Sequence, residues 1–173
     1  MDNKFDFWGW FFRGPKDGKC GFIRVFDKMI ALHVIIGFIV AKVVPLPISQ
    51  SASTVLLPLS GALIGLTFAW AGNAHGMLQT EEISKVISEA KTDYITYVYT
   101  YQSTILIVLV AIILWGLASL RVFDVRHSYY IDLNLVIETA LFSYTSITIR
   151  ECWHAVLGTQ LMLISRKIVK DES

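Results

Sequence analysis

Glu138 stands inside an apolar stretch, Ile131 to Ile149, together with Asp132 and Asn134. A charged group at mid-helix costs roughly 2.5 to 3.5 kcal/mol on insertion scales, so an acid retained there points to function. Glu138 lies ~10 Å along a helix from one end of its stretch, and Lys42 lies ~6 Å from the corresponding end of another, so the two are expected to pair at similar depth. The same carboxyl, left protonatable, suits proton or cation binding. Asn134 precedes it by one turn, and Thr145, Cys152 and Thr159 follow at steps of seven. This polar stripe is expected to line a narrow hydrated path in a symmetric oligomer, or to form a helix seam. His33, a lone imidazole in the first apolar run, reads as a packed or hydrogen-bonded side chain.

A second pattern, Arg150-Glu-Cys-Trp-His154, resembles the Arg-x4-6-His dyad of HEPN ribonucleases, with three intervening residues in place of four to six. The resemblance implies phosphate chemistry by Arg150 and His154. No Walker, HExxH or GxSxG motif and no basic-aromatic tract occurs. We therefore expect no catalytic residue, no metal, no cofactor and no direct nucleic-acid partner. Cys20 and Cys152 lack CxxC or His spacing and read as reduced, structural thiols.

The elements that position these residues follow from composition. Of 173 residues, 54% are apolar and 17% charged, where soluble domains carry roughly 25% charge. With a mean hydropathy of +0.56, the chain is too apolar for an ordinary soluble domain, a disordered chain or a disulfide scaffold. The sequence predicts an all-α polytopic membrane protein with four transmembrane helices, the third and fourth extended into a cytosolic bundle. A hairpin over 29–72 comprises spans 29–46 and 54–72, joined by a polar turn after Pro47. The third and fourth spans, 104–120 and 131–149, lie within 104–149.

Lys and Arg are unevenly distributed among these segments. Twelve fall before the first span, between the second and third, or from Arg150 onward, against three in the remaining loops and ends. The positive-inside rule then places both termini in the cytoplasm of a cell with this protein in its inner (plasma) membrane. The leader, 1–28, carries Phe5, Phe7, Trp8, Trp10, Phe11 and Phe12. It reads as an interfacial anchor or as a protein-facing aromatic plug. No cleavage signal is evident, so the first span is expected to be retained.

Between 77 and 103 an amphipathic cytosolic helix is predicted, with Ile83, Ile87, Tyr94, Tyr97 and Tyr101 on one face, running unbroken into the third span. The fourth helix is expected to continue over 150–173 with a stripe of Trp153, Leu157, Leu161, Ile164 and Ile168. The two stripes would cover each other, and Ile83, Ile87, Tyr94, Trp153, Leu157 and Leu161 would bind a partner. Two helices make a thin core, so oligomerisation is expected to complete it. Gly37 and Ala41, with His33, share a face of the first span, and Gly61, Gly65 and Ala69 share a face of the second. Such small-residue spacing lets backbones approach, within the hairpin or between copies.

These features suggest a homo-oligomeric membrane sensor or pore-forming subunit that relays to a soluble cytosolic effector. A small proton-coupled transporter using Glu138 and a membrane-linked HEPN-like ribonuclease are the alternatives. In span count, short outer loops and extended cytosolic helices the chain resembles the small four-span membrane subunits of bacterial anti-phage defence systems, such as the membrane component of Kiwa. The resemblance rests on architecture and implies a homo-oligomer, a tetramer, controlling a soluble partner.

Overall fold

The computed structural model describes residues 6–14, 20–84, 94–123 and 133–171, and every regular element among them is helical. Helix α1 spans Phe7–Arg13, α2 Gly21–Val25, α3 Ile30–Val43, α4 Ile48–Leu78, α5 Tyr94–Ser119 and α6 Leu133–Asp171. Two of them contain segments long and apolar enough to cross a membrane, Ile48–Leu78 and Thr96–Ser119; α3 is apolar but shorter. Four spans are thus not marked out by length and hydropathy: α6 is long, but too polar along its course.

Local chemistry explains several boundaries. Val44, which precedes Pro45, is extended, as the proline ring requires, and this ends α3. Helix α4 then starts at Ile48, inside the segment read from sequence as a polar turn, because Pro47 at its N-cap supplies a preset φ. Its second turn, Ala52–Leu56, is π-helical. The wider turn precedes Pro58, whose missing N–H and bulky ring disfavour a normal α-turn onto the carbonyl four residues back. Met77 and Leu78, expected to begin the next helix, instead close α4. Gln79 and Thr80 then turn the chain, and residues 81–84 are helical again. Helix α5 crosses Tyr101–Thr104 without a break and ends in a Schellman motif, with Val122 N–H on the Leu117 carbonyl and Arg121 N–H on that of Ala118, both 3.1 Å.

The chain divides into two compact units. One comprises Met1–Val25, Gly65–Ile105 and Glu151–Ser173. Its core gathers Ala74, Met77 and Leu78 of α4, Ile83, Tyr101 of α5, and Ala155 and Met162 of α6. The α1 rings join it: Phe7 and Trp10 each lie 5.6 Å from the Tyr99 ring, and Phe11 is buried. Trp8 and Phe12 stay exposed, so the leader both plugs and presents rings outward.

The other unit comprises Phe26–Ile64 and Leu106–Arg150. Here α3 packs on α6 through Gly37, where a Cβ would come within 2.6 Å of the Ser143 nitrogen and the Thr139 carbonyl. His33 Nδ1 meets Ser146 Oγ at 2.8 Å on the same face. Trp115 of α5 is fully buried and donates to Thr145 Oγ1 at 3.0 Å. The large apolar residues of α3, among them Leu32, Ile35, Ile39 and Val43, are exposed, while His33, Gly37 and Ala41 are buried.

Candidate functional site

In the first unit, three helical segments enclose a cavity of about 200 Å³. Two of them contribute residues at helical spacing. Thr96 and Thr100, like Tyr97 and Tyr101, are four apart on α5, and His154, Gly158 and Met162 are four apart on α6, so each series shares a face. Arg24, in the last turn of α2, completes the wall.

The polar groups are arranged by their own hydrogen bonds. Thr100 Oγ1 donates to the Thr96 carbonyl at 2.8 Å and accepts from the Arg24 guanidinium. Thr159 donates to the Ala155 carbonyl at 2.9 Å, which leaves its oxygen to accept the Tyr101 hydroxyl, also at 2.9 Å. His154 Nδ1 lies 3.7 Å from the buried Glu151 carboxylate. Gly158 keeps the cavity open, because a Cβ there would sit 3.3 Å from the Tyr101 oxygen. The constellation offers a guanidinium and an imidazole beside hydroxyl and aromatic surface, the composition of an anion-binding pocket.

Arg24 is not among the residues the sequence singles out, and His154 enters there only with Arg150. In the structure Arg150 binds Asp27 at 3.1 Å, while His154 faces Glu151. The HEPN-like pattern therefore has its arginine already held by a carboxylate. The signal for Arg24 is visible only in three dimensions, since residues 24, 100 and 154 meet through tertiary packing.

The remaining candidates are dispersed. Glu138 and Asn134 are half-buried, and Lys42 is exposed with its ammonium 6.0 Å from the Phe38 ring centroid. Among the described residues no ion pair joins Lys42 to Glu138, because the ammonium turns outward along its own helix. Thr145, Cys152 and Thr159 are buried and occupied by neighbours, Trp115, Thr67 and Tyr101 respectively. Their contacts form seams inside the chain. The Cys152 thiol is pushed above its ordinary value by burial, against the opposing effect of Thr67, and stays protonated.

Gly37 packs within the chain against α6, and Ala41 is buried. Around Gly61 and Gly65 a Cβ would meet nothing within 4 Å, and Ala69 is exposed. Ile83 is buried in the core of its unit. Ile87 and the side chain of Tyr94 lie outside the described residues. The α6 stripe departs from expectation: Trp153, Leu157 and Leu161 are exposed, whereas Cys152, Ala155, Val156, Thr159 and Met162 face inward. The two predicted stripes thus do not cover each other; small and polar residues pack more closely against neighbouring helices than the bulky ones do. Among the described residues no cluster of His, Cys, Asp and Glu suits a metal. Comparison with protein-family models, curated proteins and solved structures finds no match.

Proposed function

We propose that the chain is a multi-pass membrane protein that assembles as a homo-oligomer and acts as a sensor subunit, relaying to a soluble cytosolic partner docked on the exposed α6 stripe. The observation that carries the membrane part is the inverted partition on α3: His33, Gly37 and Ala41 inside, Leu32, Ile35, Ile39 and Val43 outside. A helix in water gains by the opposite arrangement, whereas in lipid small residues make the helix contacts and large apolar ones face the tails. In the same sense, only 22% of the apolar window in Ile48–Leu78 is buried, too little for the core helix of a soluble domain.

Sensing is favoured over conduction because Thr145, Cys152 and Thr159 are spent on contacts within the chain. Relay draws on Trp153, Leu157 and Leu161, a run of exposed apolar residues that lies beyond the apolar part of α6. The segregation of basic residues supports an inner-membrane location with both termini cytoplasmic, and the open Gly61, Gly65 and Ala69 face suits packing between copies. A role in anti-phage defence extends the architectural resemblance and belongs to the same proposal.

The test is particle mass in nanodiscs after alkaline carbonate extraction of the membranes. Retention in the pellet with a mass of several protomers is expected. Release into the supernatant overturns the membrane reading, and a monomer overturns the assembly.

A further inference from the structure

The cavity between α2, α5 and α6 has chemistry that the relay reading does not use. Arg150 and Arg166 each meet a carboxylate, Asp27 at 3.1 Å and Glu82 at 3.7 Å. Arg24 differs: its hydrogen-bond partner among the described residues is the neutral hydroxyl of Thr100. A guanidinium fixed by a hydroxyl keeps its charge and its remaining N–H groups for another acceptor, and the planar fork suits phosphate. His154 lines the same cavity, and with Nδ1 3.7 Å from the Glu151 carboxylate its Nε2 is the nitrogen left to offer a ligand. Tyr97, Tyr101, Ala155 and Met162 supply apolar wall for whatever carries the anion.

Position narrows the ligand further. Thr96, Tyr97, Thr100 and Tyr101 stand at the N-terminal end of the apolar segment Thr96–Ser119. Its 24 residues span ~36 Å, longer than a hydrocarbon core of ~30 Å, so the first turn reaches headgroup depth in a bilayer. Arg24 is also near in sequence to the start of α3 at Ile30.

We propose that this cavity is a phosphate-binding site, with Arg24 as the primary ligand, His154 as the second, and Gly158 as the residue that keeps it open. A lipid phosphate headgroup and a free phosphate share this chemistry. Binding of free phosphate does not depend on the membrane reading, so failure of one leaves the other standing.

The test uses the full chain in phosphatidylcholine nanodiscs, compared with nanodiscs containing phosphatidic acid and, separately, with added inorganic phosphate. The readout is the unfolding midpoint by tryptophan fluorescence. A probe at roughly 100 times its Kd should raise the wild-type midpoint by about 5–10 °C. Arg24→Gln should abolish that rise and Gly158→Ala should reduce it, while Lys167→Gln, an exposed cation outside the cavity, should keep it. A rise with phosphatidic acid alone assigns a lipid headgroup; a rise with inorganic phosphate as well assigns free phosphate. No rise with either probe, or an equal rise in Arg24→Gln, overturns the site. Circular dichroism of each variant without probe separates loss of binding from loss of fold.

Discussion

The indole N–H of Trp115 donates to Thr145 Oγ1 at 3.0 Å, and the hydroxyl in turn donates to the Leu141 carbonyl at 2.9 Å. Trp115 is fully buried, so its N–H has no solvent to turn to. Thr145→Val keeps the shape and removes the acceptor, which should cost about 1–3 kcal/mol, the penalty of an orphaned buried donor. Thr145→Ser keeps the acceptor and should recover most of that loss. Unfolding midpoints of the two variants check the pair; equal midpoints for Val and wild type would contradict it.

The helical course of the chain was legible in the sequence, and each exception has its own physical cause. The unbroken passage of α5 through Tyr101–Thr104 and the long run of α6 follow from the absence of any breaker. The start of α4 at Ile48 was hidden because Ser49, Gln50 and Ser51 look like a turn, although proline at an N-cap is also a helix opener. The face of α6 was misjudged because periodicity treats large apolar residues as buried. On α6 the small or polar Cys152, Ala155 and Thr159 pack against neighbouring helices and leave Trp153 and Leu161 outside. Arg24 carried no local signal, since its neighbours Thr100 and His154 are remote in sequence.

Gly37 and Gly65 should respond oppositely to the same change. Ala at 37 drives a methyl into the backbone of Ser143 and Thr139, which cannot yield as a flexible side chain would. A loss of about 1–3 kcal/mol is expected. Ala at 65 meets nothing and removes a mid-helix glycine, which should leave the fold unharmed or stabilise it by up to about 1 kcal/mol. If copies pack on that face, Gly65→Leu should lower particle mass while leaving helicity intact; unchanged mass excludes the face from the assembly.

Arg121 occupies the left-handed region, with φ of 61°, at the position after the α5 C-cap where glycine is the usual residue. A side chain there costs about 1–2 kcal/mol in backbone sterics. Arg121→Gly should therefore raise stability by about 1 kcal/mol, offset in part by the greater freedom of glycine when unfolded. The thermal midpoint should rise, and a fall would mean that the Arg121 side chain makes a contact worth more than the strain.

Asp27 links pH to stability through Arg150. Partial desolvation raises its carboxyl pKa, but the Met29 amide at 3.0 Å and the Arg150 guanidinium outweigh that and hold it below the ordinary value of 3.8. A depressed folded-state pKa means the interaction stabilises fully above the unfolded value and is lost as pH falls through the folded one. Wild type should therefore melt above Asp27→Asn near neutral pH, with the gap closing as the buffer is taken below about pH 4. High salt should narrow the gap too, because Asp27 is exposed. A gap that persists unchanged in acid would mean that the charge of the Asp27 carboxylate does not carry the effect.

The α6 stripe supplies the sharpest test of relay. Trp153 and Leu161 are 59% and 64% exposed, and Leu157 lies between them one turn from each. Because none of the three fills the core of the unit, a charge there should leave the isolated chain folded, within about 0.5 kcal/mol of wild type. Leu161→Glu combined with Leu157→Glu should nonetheless abolish recovery of a soluble partner by cross-linking through a photoreactive group placed at 164. Particle mass in nanodiscs decides between two uses of the surface. Loss of the cross-link at constant mass means the stripe docks a partner; loss together with a drop to monomer mass means it joins copies. Retention of both would remove the stripe from either role.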